Sequence, residues 1–219
     1  MKRSYLILLI IFFLIVSGLI VLYFVKTFSN KDGQIPSSVT STITQSPALT
    51  PSATPAPSDF ATPVADFAPR ITKKPFGIYI TRQNSPIQPE RFSGYHTGAD
   101  AEYEDASEDV PVYAIADGNV VLSETASGYG GVFMISFDLN GSQHTALYGH
   151  IRPSSLPKVG TTFNMGDQLG LLGTGYSSET DGERRHLHFA ILSDDRLDIK
   201  GYVQSKSELS GWIDPPTIF

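Results

Sequence analysis

The chain has no cysteine among its 219 residues. Disulfides and thiolate metal sites are therefore excluded, and any metal must be held by nitrogen and oxygen. The same absence removes a lipoprotein-type acylation site and fits an extracytoplasmic setting. No basic run exceeds two residues and the net charge is −6. That excludes the positive footprint a nucleic-acid binder needs. From Lys73 onward, 11 Lys and Arg stand against 19 Asp and Glu, a balance of −8, so the C-terminal part is acidic. HExxH is missing, so no glutamate general base is supplied by that motif. Helical periodicity is scarce as well, with no convincing amphipathic helix longer than about two turns.

Three regions are present. Residues 5–25 are almost purely apolar, interrupted by Ser17 and Gly18 and flanked by Lys2, Arg3 and Lys26. Twenty-one residues at ~1.5 Å each span roughly 31 Å, about one hydrocarbon core. No small-x-small cleavage site follows, and Tyr23-Phe24-Val25-Lys26 occupies its place. An uncleaved anchor is expected over a cleaved signal peptide. The positive-inside bias puts the N-terminus in the cytoplasm, so residues 1–26 are expected to be the cytoplasmic start and transmembrane anchor of a single-pass membrane protein, with the rest outside.

Residues 27–72 are dominated by Ser, Thr, Pro and Ala. Such a segment buries too little apolar area to offset its ordering entropy, so a disordered linker is expected. As a flexible coil it spans roughly 35–40 Å. Residues 73–219 form the third region, long enough for one domain with its own core. Short alternating runs recur there, at residues 76–81, 112–116, 119–123, 131–137, 143–148, 168–172 and 187–192. Asp117-Gly118, Asn140-Gly141 and Gly166-Asp167 punctuate them. The fold class is mostly β, built of antiparallel sheets with short hairpins.

Four of the five histidines fall in three motifs: His96-Thr97-Gly98-Ala99-Asp100, Tyr148-Gly149-His150 and His186-Leu187-His188. His186 and His188, two apart on a strand, point to one face. Gly98 lets the chain fold tightly enough for His96 and Asp100 to aim at one point. His144 shares parity with His150 but lies roughly 20 Å away along a strand, so it reads as an ordinary strand residue. Neutral imidazole and carboxylate donors suit zinc. The remaining histidines can handle protons.

In that order, with their flanks, these motifs resemble the lysostaphin/LytM-type peptidoglycan zinc metallopeptidases. Pro111 to Val121 resembles the strand that follows the first ligands in that family. Val159 to Gly175 resembles its Gly-rich hairpin, and Ile213-Asp214-Pro215 its closing segment. The resemblance covers roughly Phe76 to the C-terminus. It implies a LytM-like β domain in which His96, Asp100 and His188 bind Zn2+ and His150 and His186 are nonligand catalytic histidines. Spacing leaves open which of those two is the general base. Three protein ligands leave a fourth position for water, as in catalytic zinc sites. Tyr95 and Tyr148, beside motif residues, are candidates to line a substrate groove.

Two departures stand out. Glu183-Arg184-Arg185 replaces the Gly-Pro often found before the HxH pair. Residues 101–109 form an acidic connector, where a calcium site is conceivable, although its spacing is not that of an EF-hand and a solvated loop is expected.

The resulting expectation is a membrane-anchored zinc endopeptidase acting on peptide bonds of bacterial peptidoglycan, with no nucleic-acid partner. The alternative is a non-catalytic binding or activating module for cell-wall amidases. A structural zinc domain would call for a closed four-ligand site, and only three ligands are counted.

Overall fold

The computed structural model describes residues 59–219. The expected anchor at residues 5–25 and the linker up to residue 58 lie outside the described residues. Among the described residues no helix is long and apolar enough to cross a membrane. Regular structure there consists of strands and short 3-10 turns, as the scarcity of helical periodicity implied.

The main sheet is built around β10 (His186–Leu192), β7 (Ser142–Ile151), β6 (Gly130–Leu139) and β5 (Gly118–Ala126). All pair antiparallel, in the order β12-β10-β7-β6-β5-β8, with β8 (Thr162–Phe163) and β12 (Trp212–Ile213) at the ends. β3 (Ala99–Glu102) also pairs with β10, along its first half, while β12 pairs with its last two residues. A small sheet joins β1 (Tyr79–Ile80), β2 (Gly94–His96) and β11 (Tyr202–Val203). Another joins β4 (Pro111–Tyr113) to β9 (Gln168–Leu171). Each apolar run read from the sequence overlaps one of the strands β1, β4, β5, β6, β7, β9 and β10. The very short β2, β8, β11 and β12 carry too few residues to show a period, and β3 is hidden in the motif and its acidic connector.

Local chemistry explains the hairpins. Asn140 and Gly141, at φ 55° and 81°, join β6 to β7 with both central residues in the left-handed region. That is the two-residue turn whose twist matches the flanking strands. Strand alternation then sorts the core. Phe133, Ile135, Phe137, Ala146, Tyr148, Leu187, Phe189 and Ile191 belong to one cluster. Val132, Met134, Leu147, Ala190 and Leu192 belong to another. His186 and His188 share the parity of Ala190 and Leu192, so they lie on the second face. Every residue of β10 is buried, which places these histidines under cover rather than on an open surface.

One boundary differs from expectation. Residues 59–72, assigned above to the linker, are part of the folded body. Val64 and Phe67 are buried in the first cluster. The Phe67 ring meets those of Phe189 and Phe219 edge-on, each 5.5 Å away. Ala61 N donates to Ile115 O and Tyr113 N to Pro63 O. The segment covers the back of the main sheet. Its anchors are isolated among Ala, Pro and Thr, so composition alone merges it with the tract before it.

Candidate metal centre

β3 and β10 run antiparallel with Asp100 opposite His188 and Glu102 opposite His186. Alternation therefore puts Asp100, Glu102, His186 and His188 on one face. His96 ends β2 and approaches from the small sheet. His96, Asp100, His186 and His188 line a cleft of about 380 Å³, together with Tyr129, His150, Arg184 and Tyr202.

His96, Asp100 and His188 form a compact buried cluster. His96 Nε2 lies 3.0 Å from His188 Nδ1 and 3.2 Å from Asp100 Oδ1, and His188 Nδ1 lies 3.0 Å from the same oxygen. A tetrahedral cation with bonds of about 2.0–2.1 Å needs donors roughly 3.3 Å apart. The triangle is within a few tenths of an ångström of that face. His96 Nδ1 is 3.2 Å from Pro75 O, which fixes a tautomer with a lone pair on Nε2. His188 Nε2 is buried without a partner, so its Nδ1 is the atom committed to the cluster. Two nitrogens and one oxygen suit a divalent cation of zinc type. Gly98 serves this convergence through space rather than through an unusual φ. A Cβ there would stand 2.5 Å from Phe189 O and 2.9 Å from the His188 ring.

His150 occupies a bulge. Gly131 pairs with Ile151 and Val132 with Gly149, leaving His150 as the extra residue, at φ 62°. Bulges re-aim side chains, and a non-glycine left-handed residue is strained unless its surroundings hold it. His150 Nδ1 is 3.1 Å from Tyr129 O, and His186 Nδ1 is 2.9 Å from Arg184 O. Each ring thus donates from Nδ1 and keeps a lone pair on Nε2. The two rings lie 4.1 Å apart, and His186 Nε2 is 3.4 Å from Asp100 Oδ2.

Burial dominates the protonation of the site. It pushes His150 down to about 3, drives His186 well below its usual value and lowers His188. For Asp100, burial alone would raise the carboxyl, but the neighbouring His96, His186 and His188 outweigh it, and the group is held well below the carboxylate range. Neutral imidazoles and an ionised carboxylate are the forms that bind metal. A pH dependence follows. An unfolded histidine titrates near 6.5. Below that pH the unfolded chain takes up protons that the buried rings refuse. The metal-free protein should therefore lose stability as pH falls from 6.5 toward 3, by up to about 1.4 kcal/mol per pH unit for each histidine. Urea unfolding of chelator-treated protein between pH 7.5 and 5 measures this, and a flat profile would contradict it.

Neither candidate groove tyrosine is in the cleft. The Tyr148 ring stacks on Phe133 at 4.6 Å inside the core, and its hydroxyl donates to Tyr113 O. Tyr95 packs on Tyr79 on the small sheet, rings 4.7 Å apart. Both were placed by adjacency in sequence, and strand alternation turns them away. Tyr129 lines the cleft instead, its ring 5.3 Å from His150 and 5.6 Å from His188. Its hydroxyl is buried without a partner, and burial raises its pKa so that it stays a donor. The glycine-flanked Gly128-Tyr129-Gly130 turn was its only sequence signal. Phe92 also lines the cleft, stacked on Tyr202 at 5.8 Å. Lys74, another lining residue, is buried and donates to Glu90 Oε2 at 2.6 Å. His144 is far from this group, its ring against Phe137.

The acidic connector is neutralised by basic side chains. Arg70 pairs with Asp105 at 2.8 Å, Lys73 with Glu104, and Arg152 with Asp109 at 2.6 Å. These carboxylates face cations already in the chain, not a common empty centre. Arg184, in the Glu183-Arg184-Arg185 run that replaces the Gly-Pro, is buried and donates to Asp100.

No curated protein is a significant match to the chain. Solved structures with a similar fold include a zinc-containing peptidase from Vibrio cholerae, at 22% identity over 62% of this chain and 36% of that one, with a TM-score of 0.41. LytU matches at 23% identity over 73% of this chain and 83% of its own, with a TM-score of 0.42. A chain of the SpoIIIAH and SpoIIQ complex matches at 20% identity over 73% and 99%, with a TM-score of 0.46. The chain spans little more than a third of the Vibrio cholerae peptidase. Residues 94–199, which hold all five motif residues, match peptidase family M23. Through this stretch the chain carries a peptidase family M23 domain.

Proposed function

We propose that this domain is a zinc endopeptidase that hydrolyses peptide bonds in bacterial peptidoglycan, held at the outer face of the membrane by residues 5–25. One observation carries the reading. Three metal-type donors converge within 3.0–3.2 Å, and two further histidines present Nε2 lone pairs beside them.

His96, Asp100 and His188 would hold the cation. When bound, it supplies Lewis acidity toward the scissile carbonyl and acidifies a water. The chain's own groups do the rest. His150 is the general base, because its Nδ1 is committed to Tyr129 O and, unlike His186, its ring is not paired with Asp100. His186 Nε2 faces Asp100 Oδ2, so this ring is the second proton-handling group. The Tyr129 hydroxyl, protonated and without a partner, is the neutral donor available to a developing oxyanion. The aromatic wall of Phe92 and Tyr202 gives an extended peptide a surface to lie on.

Detergent-solubilised full-length chain, loaded with zinc, should release peptide-bearing fragments from purified peptidoglycan, read by mass spectrometry. Walls of known cross-bridge chemistry identify the bond. No release, together with stimulation of a cell-wall amidase, would replace the enzyme with the activator alternative.

A further inference from the structure

Arg184 stands two residues before His186, just ahead of β10, and its side chain lines the same cleft as both histidines. Its neighbour Arg185 turns the other way and donates to Ala106 O. Arg184 Nη2 donates to Asp100 Oδ2 at 2.7 Å and to Glu102 Oε1 at 2.7 Å. Arg184 Nε donates to both Glu102 oxygens, at 2.8 and 3.0 Å. The Arg184 side chain is 1% exposed. The two oxygens of Asp100 are thereby separated by role. Oδ1 faces His96 and His188, and Oδ2 faces the guanidinium.

We propose that Arg184 is a positioning residue for the metal centre: its guanidinium holds Asp100 Oδ2, so that only Oδ1 is offered to the cation, and Glu102 is the counter-charge that keeps the guanidinium there. The inference rests on the metal-centre reading above. Three arguments support it. A planar fork can bond two carboxylates at once, which a lysine ammonium matches poorly. A buried ion pair adds little net stability over an apolar pair of similar volume, so stability alone does not account for this triad. The triad also leaves one net negative charge, from Asp100, Glu102 and Arg184 together, facing the cation. Without the clamp, Asp100 is free to rotate or to offer both oxygens.

The test separates holding from charge. Arg184→Met combined with Glu102→Gln removes one charge of each sign and leaves the net charge unchanged. In full-length protein, zinc affinity is read by chelator competition and coordination number by the visible spectrum of the cobalt-loaded form. The double variant should bind zinc about 10- to 100-fold more weakly. Its cobalt bands should weaken as Asp100 becomes a two-oxygen ligand, while metal-free melting stays near wild type. Arg184→Lys, which keeps a cation in place, covers the case in which the double variant does not fold. It should lie between wild type and the double variant. Wild-type affinity and spectrum in every variant that folds would make Arg184 merely structural and overturn the proposal. Wild-type protein that binds no zinc would instead overturn the metal-centre reading, and this inference with it.

Discussion

Asp100→Asn is expected to remove metal and hydrolysis together and to weaken the fold. Asp100 Oδ1 meets both ligand nitrogens, and Oδ2 meets Arg184 and His186. An amide cannot reproduce this. If its oxygen serves Arg184, its NH2 points at the place where a cation needs a donor atom. If it turns over, the NH2 opposes a guanidinium. Zinc binding worth about 10–16 kcal/mol in four-ligand sites suggests about 2.5–4 kcal/mol per ligand, roughly 70- to 900-fold in affinity. Removing a buried partner charge costs about 3 kcal/mol more in fold stability, the lower end of the usual range because Glu102 still holds Arg184. Elemental analysis after dialysis and urea unfolding give the two readings. A stoichiometric, fully active Asn variant would remove the carboxylate from the centre.

That site was legible to an uneven degree. The HxH pair and the strand on which it lies were readable because a period of two needs no tertiary information. Pairing of that strand with β3 was not readable. Ala99–Glu102 is four residues long and interrupted by charge, so it carries no apolar signature. The register that sets Asp100 against His188 exists only in the folded sheet. Tyr129 illustrates a second limit. A hairpin turn placed it over the histidines, whereas Tyr148, beside a motif residue in sequence, was turned into the core. Arg184 illustrates a third. A charged pair in a polar loop ordinarily means solvent, and only two carboxylates arriving from β3 justify burying one of its members. The boundary at residue 73 failed for a related reason. Val64 and Phe67 are single anchors whose partners, Phe189 and Phe219, lie far along the chain.

His150→Asn is expected to lower turnover by about 10²- to 10⁴-fold while metal content stays at the wild-type level. Asparagine is the appropriate replacement because position 150 sits at φ 62°. Asparagine tolerates the left-handed region, and its amide can still donate to Tyr129 O, so the bulge survives. What it lacks is a basic nitrogen in the place of Nε2. Alanine would confuse the result with backbone strain. Because His150 is outside the donor triangle, KM and zinc affinity should change little, and the loss should fall on kcat. His144→Ala, on the same strand but packed on Phe137, serves as the matched control and should leave kcat unchanged. Loss of zinc from the Asn variant would move His150 into the ligand set. A kcat within tenfold of wild type would transfer the base to His186, whose Nε2 would then have to leave Asp100 Oδ2 to take the proton.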